Sequence, residues 1–287
     1  MEAATEPHCR YKEETSSWNE TALDWLRRCQ QVDADAAVPS DPTSAAWAFV
    51  RAKKSFGTGI SFMDAVLSKN TENLSIVELR GDDGVGKTWT LISLAARFVV
   101  STRASKFQST SNDLPQVIFM DSVQSLKMRH ISSAVRTELL RDLDDDKAND
   151  QGSFQGEVDS ALRRVVLVFG EGATSWVPIL ESLRHLLAGK PFPTLILWDG
   201  FLTDVHAIKG RMEVIRQVNR LSKDTVVQLI TTGISNRFFP AWDKCIDHRV
   251  RLQQLKADTL DQNQFMATTR QPAGQFTYTI TGGGILT

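Results

Sequence analysis

Five short runs dominate the middle of the chain: "SIVELRG", "QVIFMD", "RVVLVFG", "TLILWDG" and "TVVQLITTG". Each is a nearly continuous stretch of apolar residues, rich in Val, Ile and Leu and bounded by glycine or polar residues. A strand with one wet face alternates apolar and polar side chains. A strand covered on both faces does not, so these runs predict a largely parallel sheet buried under helices. Helix-like segments fill the gaps, over residues 87–100, 125–142, 176–188 and 209–223. Strand alternating with helix predicts an α/β fold with right-handed crossovers.

The 287 residues suit one large domain, or one domain plus an arm. Residues 1–45 are polar and interrupted, and read as an N-terminal arm. One short amphipathic helix is expected there, at "NETALDWLRRCQQ", with Leu23, Leu26 and Trp25 on its apolar face, followed by the linker "DADAAVPSDPTS". The core domain is expected over 46–287. Within it, the acidic stretch "RDLDDDKANDQGS" (141–153) reads as a solvated loop. At the end, "DHRVRLQQL" and "GQFTYTITGGGILT" read as antiparallel strands joined by a long polar loop. In the first, Val250 and Leu252 alternate with Arg249 and Arg251, giving one buried and one charged face.

Lys plus Arg number 33 against 34 for Asp plus Glu, so no global basic field draws in nucleic acid, and any DNA contact has to be local or shared. Cys9, Cys29 and Cys245 are far apart and form no CxxC pair, which suggests neither a disulfide framework nor a zinc site and fits a reducing compartment. No apolar run reaches membrane-spanning length, and the first residues lack the apolar region of a secretory signal.

The stretch "LRGDDGVGKTWTL" carries the strongest chemical signal. Gly81, Gly86, Lys87 and Thr88 satisfy G-x-x-x-x-G-K-[ST], with Asp82, Asp83, Gly84 and Val85 between. A strand precedes it and a helix follows. Such a loop turns backbone N–H groups toward phosphate oxygens at the positive end of a helix. Lys87 would reach the β- and γ-phosphates of ATP and Thr88 would ligate Mg²⁺, with Asp82 and Asp83 pointing outward. Asp199, at the end of "PTLILWDG", is the candidate carboxylate for the same metal; the bland alternative is a cap after a buried strand.

This combination resembles the RecA-like recombinases of homologous recombination and their paralogues. "FGTGISFMDAVL" looks like their TG-x-x-x-LD-x-LL segment, with Thr58, Gly59, Asp64 and Leu67 in place. Trp242 followed six residues on by His248-Arg249 is similar to a W-(x)₅-H-R stretch of the paralogue set, whose shortest member this chain resembles most. The tail "FTYTITGGGIL" is like that family's closing hairpin, and the likeness runs over about residues 50–287. It implies a RecA-like P-loop NTPase core in the nucleus, working beside other recombinase paralogue subunits in a hetero-oligomer for double-strand break repair.

Two departures modify that expectation. The family's strand after the cradle ends in D-T-E-G, whose glutamate polarises the attacking water; here it is Asp121-Ser122-Val123-Gln124. Where the family keeps an Asn-Gln pair that senses the γ-phosphate, this chain has Thr232-Gly233. Nucleotide binding with weak or no hydrolysis is therefore expected, since losing such a group costs ~10²–10⁴-fold in rate. Three alternatives stand beside it: a DNA-dependent ATPase whose carboxylate comes from elsewhere, a small-molecule kinase, and a scaffold with a vestigial cradle. The loops at 200–211 and 233–244 are where the resemblance places DNA, through Lys209, Arg211 and Arg237. Phe238, Phe239 and Trp242 either stack on bases or are buried in a core or interface. Phe49 and Ala52 match the family's Phe-x-x-Ala plug, or else form an apolar helix turn with Trp47.

Overall fold

The computed structural model describes residues 58–67, 76–102, 116–142, 151–188, 194–225, 227–233, 239–255, 264–270, 273–281 and 284–286. The expected arm, its helix and linker, the Phe49/Ala52 pair, Arg237 and Phe238 lie outside them.

The parallel sheet expected from the apolar runs is present. In chain order the elements are α1 (Ser61–Leu67), β1 (Ile76–Arg80), α2 (Lys87–Ser101), β2 (Gln116–Asp121), α3 (Met128–Asp142), α4 (Gln151–Leu162), β3 (Val165–Phe169), α5 (Gly172–Leu187), β4 (Thr194–Asp199), α6 (Ile208–Asp224), β5 (Val227–Gly233), α7 (Pro240–Asp243), β6 (His248–Gln254), β7 (Gln264–Arg270), β8 (Ala273–Thr281) and β9 (Gly284–Leu286). The strands form one sheet in the order β3-β2-β4-β5-β1-β6-β7-β8-β9. The six from β3 to β6 run parallel, and β7, β8 and β9 continue antiparallel.

Alternation along each strand divides the core in two. Val117 and Phe119 of β2, Leu195 and Leu197 of β4, and Ile230 of β5 join a buried cluster with Leu91, Leu94 and Val99 of α2 and Ile131, Val135 and Leu139 of α3. The residues between them, Ile118, Met120, Ile196, Trp198 and Leu229, are equally buried and face the other way. There Trp198 meets Trp176 of α5 at 4.7 Å between ring centroids. Full burial on both faces is why these strands carry no polar alternation, each large apolar side chain contributing about 1.5–3 kcal/mol.

The connections fix where a ligand could enter. From β1 the chain moves through α2 to β2 and through α3 and α4 to β3, toward one edge of the sheet; through α5 and α6 it returns to β4 and β5. Right-handed crossovers moving in opposite directions cover opposite faces, and α2 packs on α3 while α5 packs on α6. The neighbours β2 and β4 therefore send their chains to opposite faces, as do β1 and β5. Crevices at the carboxyl ends of such strands are where open α/β sheets bind ligands.

Two expectations are corrected. The tail does not pair "DHRVRLQQL" with "GQFTYTITGGGILT": β7, in the stretch read as a polar loop, lies between β6 and β8, and β6 pairs parallel with β1 on its other side. The stretch 141–153, expected to be a solvated loop, is helical at both described ends: Arg141 and Asp142 close α3, and α4 begins at Gln151. Val250 and Leu252 are buried and Arg251 exposed, as the alternation of β6 predicts, whereas Arg249 is partly buried against Glu78.

Candidate functional site

The loop Gly81–Gly86 joins the carboxyl end of β1 to the amino end of α2. Its tightness rests on glycine. Gly84 and Gly86 adopt φ of 82° and 83°, a region L side chains rarely enter. At Gly81 a Cβ would lie 2.6 Å from the Leu252 carbonyl oxygen, and at Gly86 it would collide with the Ile280 side chain. Nothing stands within 4 Å of a Cβ placed on Gly84. The loop is thus closed underneath by β6 and β8 and open above Gly84. Asp82 and Asp83 are exposed, facing outward as expected.

Lys87 folds back over this loop. Its Nζ donates to the carbonyl oxygens of Gly81 at 2.8 Å and Asp82 at 2.7 Å. Its side chain is only 12% exposed, with the solvent-facing Asp83 carboxylate 3.7 Å away. Burial lowers the Lys87 amine below its ordinary range, and Asp83, Asp199 and Asp82 oppose that shift. An ammonium so poorly hydrated gains most from an anion that displaces the weak carbonyl partners.

Asp199 ends β4, two strands away from β1 and separated from it by β5. Its Oδ2 accepts the Thr88 hydroxyl at 2.6 Å, and its Oδ1 accepts the Thr232 hydroxyl at 2.7 Å. Thr232 Oγ1 also accepts the Gly200 N–H at 2.8 Å, so β5 bridges the gap and locks the carboxylate on both sides. Burial raises the Asp199 carboxyl above the usual range, the Thr88 and Thr232 hydroxyls pulling it back and Asp121 adding to the rise. Thr88 and Asp199, 111 residues apart in sequence, are brought into direct contact, which a cap after a buried strand would not require. In sequence Thr232 stands out only as the loss of an amide; in the structure its hydroxyl is what holds Asp199.

These residues fit a magnesium-bound polyphosphate. Mg²⁺ takes oxygen ligands, commonly one or two from protein and the rest from phosphate and water. Thr88 and Asp199 supply two adjacent oxygens beside a lysine and an open glycine loop. No group of three or more His, Cys, Asp or Glu that could hold a metal occurs among the described residues. A cation held here would complete its shell with phosphate oxygens and water.

The neighbouring carboxylate does a different job. Asp121 pairs in register with Asp199. Its Oδ1 accepts the N–H groups of Val123 and Gln124 at 2.8 and 2.9 Å, and its Oδ2 accepts that of Leu126 at 2.8 Å. It shapes the turn after β2, where Gln124 sits at φ 56°. Val123, where the recombinases that the motifs resemble keep a glutamate, is 57% exposed beside Gly200, where its Cγ2 would lie 2.6 Å from an added Cβ. Its aliphatic side chain has no atom that can orient or deprotonate water.

The residues singled out for DNA are less uniform. Lys209 is exposed near the start of α6. Arg211 is engaged: its Nε donates to the Val205 carbonyl at 2.5 Å and its guanidinium lies 5.7 Å from the centre of the Phe239 ring. Trp242 is buried, 4.1 Å from Phe201 between ring centroids, with its Nε1 on Glu78 Oε1 at 3.1 Å. It is a core residue and does not offer a face to bases. Arg249 Nε donates to the other oxygen of Glu78 at 2.6 Å, so Trp242 and Arg249 of the W-(x)₅-H-R stretch converge on one buried glutamate of β1. That glutamate, an acidic residue inside the apolar strand IVELR, is the sequence signal for this buried network.

No protein-family model matches the chain, and no curated protein matches it.

Proposed function

We propose that this protein binds ATP with Mg²⁺ on the Gly81–Thr88 loop and turns it over weakly or not at all, as an accessory recombinase-paralogue subunit. The observation that carries the binding half is the contact between Thr88 and Asp199 beside the folded-back Lys87. The loop N–H groups and the amino end of α2 would bind the phosphates, and Lys87 would exchange its carbonyl partners for phosphate oxygens. Thr88 and Asp199 would hold Mg²⁺, whose charge neutralises the phosphates. Thr232 keeps the Asp199 carboxylate oriented toward Thr88.

The non-hydrolytic half rests on Val123 and Asp121. The first is aliphatic, and the second spends both oxygens on backbone N–H groups. Val123 has no group that could act as a base, and the Asp121 carboxylate is committed to holding the turn. A bound nucleotide would act as a structural ligand, stabilising a subunit boundary without turnover.

The place in homologous recombination, the nuclear location, the RecA-like class of the core, the hetero-oligomer and DNA contact through that complex rest on the resemblance of the motifs alone. The test is recovery of tagged full-length chain from nuclear extract, followed by Mg-ATP binding and hydrolysis assays on the complex. Co-purifying recombinase paralogues and saturable binding without DNA-stimulated phosphate release are expected. Brisk phosphate release abolished by Lys87→Ala would replace this reading with a working ATPase, and absent binding would leave a scaffold.

A further inference from the structure

We infer that Tyr278, on the C-terminal antiparallel strand β8, is a positioning residue of the phosphate loop, holding the Val85–Gly86 peptide in the orientation that aims the Gly86 N–H into the cradle. The inference deepens the binding proposed above and rests on it. Tyr278 OH donates to the Val85 carbonyl at 2.7 Å across 193 residues of sequence. The ring is 2% exposed and sits 5.4 Å from both Phe62 of α1 and Phe265 of β7 between ring centroids, nearly parallel to Phe265. The hydroxyl is therefore delivered from a fixed platform. In a planar trans peptide the C=O and N–H point in opposite directions. Pinning the Val85 oxygen downward onto β8 turns the next N–H, that of Gly86, toward the opposite side of the peptide. The surroundings fit this orientation: Ile280 of β8 lies directly beneath Gly86, and the open space of the loop is above Gly84.

Phosphate-binding loops need donors set before the anion arrives, because reorienting a peptide after binding costs affinity. Gly86 stands at the N-cap of α2 and has no side chain with which to cap it. The tail of the chain, far from the cradle in sequence, thus becomes part of the grip.

Tyr278→Phe keeps both ring contacts and removes only the hydroxyl. Titration of the full-length chain with Mg-ATP and with Mg-tripolyphosphate, which has no nucleoside, separates the possibilities. The expected result is about a tenfold weaker Kd for both ligands, the loss of one preset hydrogen bond, with unchanged circular dichroism. In the wild type, bound Mg-tripolyphosphate should also slow amide exchange in 273–281, a readout that needs no variant. Wild-type binding that Lys87→Ala abolishes and Tyr278→Phe leaves unaltered would overturn this inference alone. Ligand binding without any slowed exchange in that segment would also overturn it. If the wild type binds neither ligand, the phosphate site itself falls.

Discussion

At the scale of single residues, two aspartates paired across neighbouring strands have opposite fates. Asp199 is buried against two hydroxyls and its carboxyl is raised; Asp121 is buried against three N–H groups. A carboxyl raised by folding makes the folded state bind a proton the unfolded state has released. Its charge therefore costs stability at neutral pH; the cost fades as pH falls through the raised range of the folded carboxyl and is gone below the ordinary carboxylate range. Asp199→Asn is expected to raise the Tm of the ligand-free protein at pH 7, to leave it near wild type at pH 3–4, and to abolish Mg²⁺-dependent ATP binding. Thermal melts across pH, paired with titration calorimetry, check all three. Asp121→Asn should do the reverse, losing about 1–3 kcal/mol because its amide cannot accept all three N–H groups. A denaturant midpoint for each variant tells the two apart. The opposition was not legible in the sequence, where both residues simply end an apolar strand.

At the scale of elements, the glycine loop and the strands beneath it behave as one piece. Gly86→Ala would force an L side chain to a φ of 83° and push it into Ile280 of β8. The expected cost is roughly 1–3 kcal/mol, seen as a lower denaturant midpoint together with lost ATP binding. Gly84→Ala meets open space and bears only the backbone strain, so its midpoint should fall less. The parallel strands were readable because burial on both faces writes itself as unbroken Val, Ile and Leu. Strand β7 was not, because its buried positions are Phe265, Ala267 and Thr269, and two of the three are small or polar. The alternation is there, but with too little apolar contrast to stand out from "QNQFMATTRQ". Helix α4 is faint in sequence for a related reason: Gly152 and Gly156 weaken its propensity, and although Phe154, Val158 and Ala161 keep a helical spacing, the acidic run before it reads as solvent-facing. The loop 81–88 was legible as a motif, but the bridge through Thr232 and the support from Tyr278 are tertiary, and no local pattern announces them.

For the whole molecule, one sheet connects the phosphate-loop end of β1, the buried Glu78 network and the C-terminal strands, so occupancy of the loop should register as global stability. A ligand at a hundred times its Kd stabilises the bound fold by about 2.7 kcal/mol. For a domain of this size each kcal/mol moves Tm by roughly 2–4 °C. Saturating Mg-ATP should therefore raise Tm by several degrees, and with little turnover the shift should persist through hours of incubation rather than decay as nucleotide is consumed. Lys87→Ala should lose the shift, since it removes an ammonium that is 12% exposed and aimed at the loop. Its own ligand-free Tm should change little, because burial works against the charge that is removed. Mg-ATP and a non-hydrolysable analogue, each added to wild type and to the variant and followed by scanning calorimetry over time, give a fourfold comparison. Equal, lasting shifts with both ligands in the wild type alone are the expected pattern. A shift with ATP that fades to baseline while phosphate accumulates would mean that water is activated despite Val123, and that a base comes from a place other than the turn after β2.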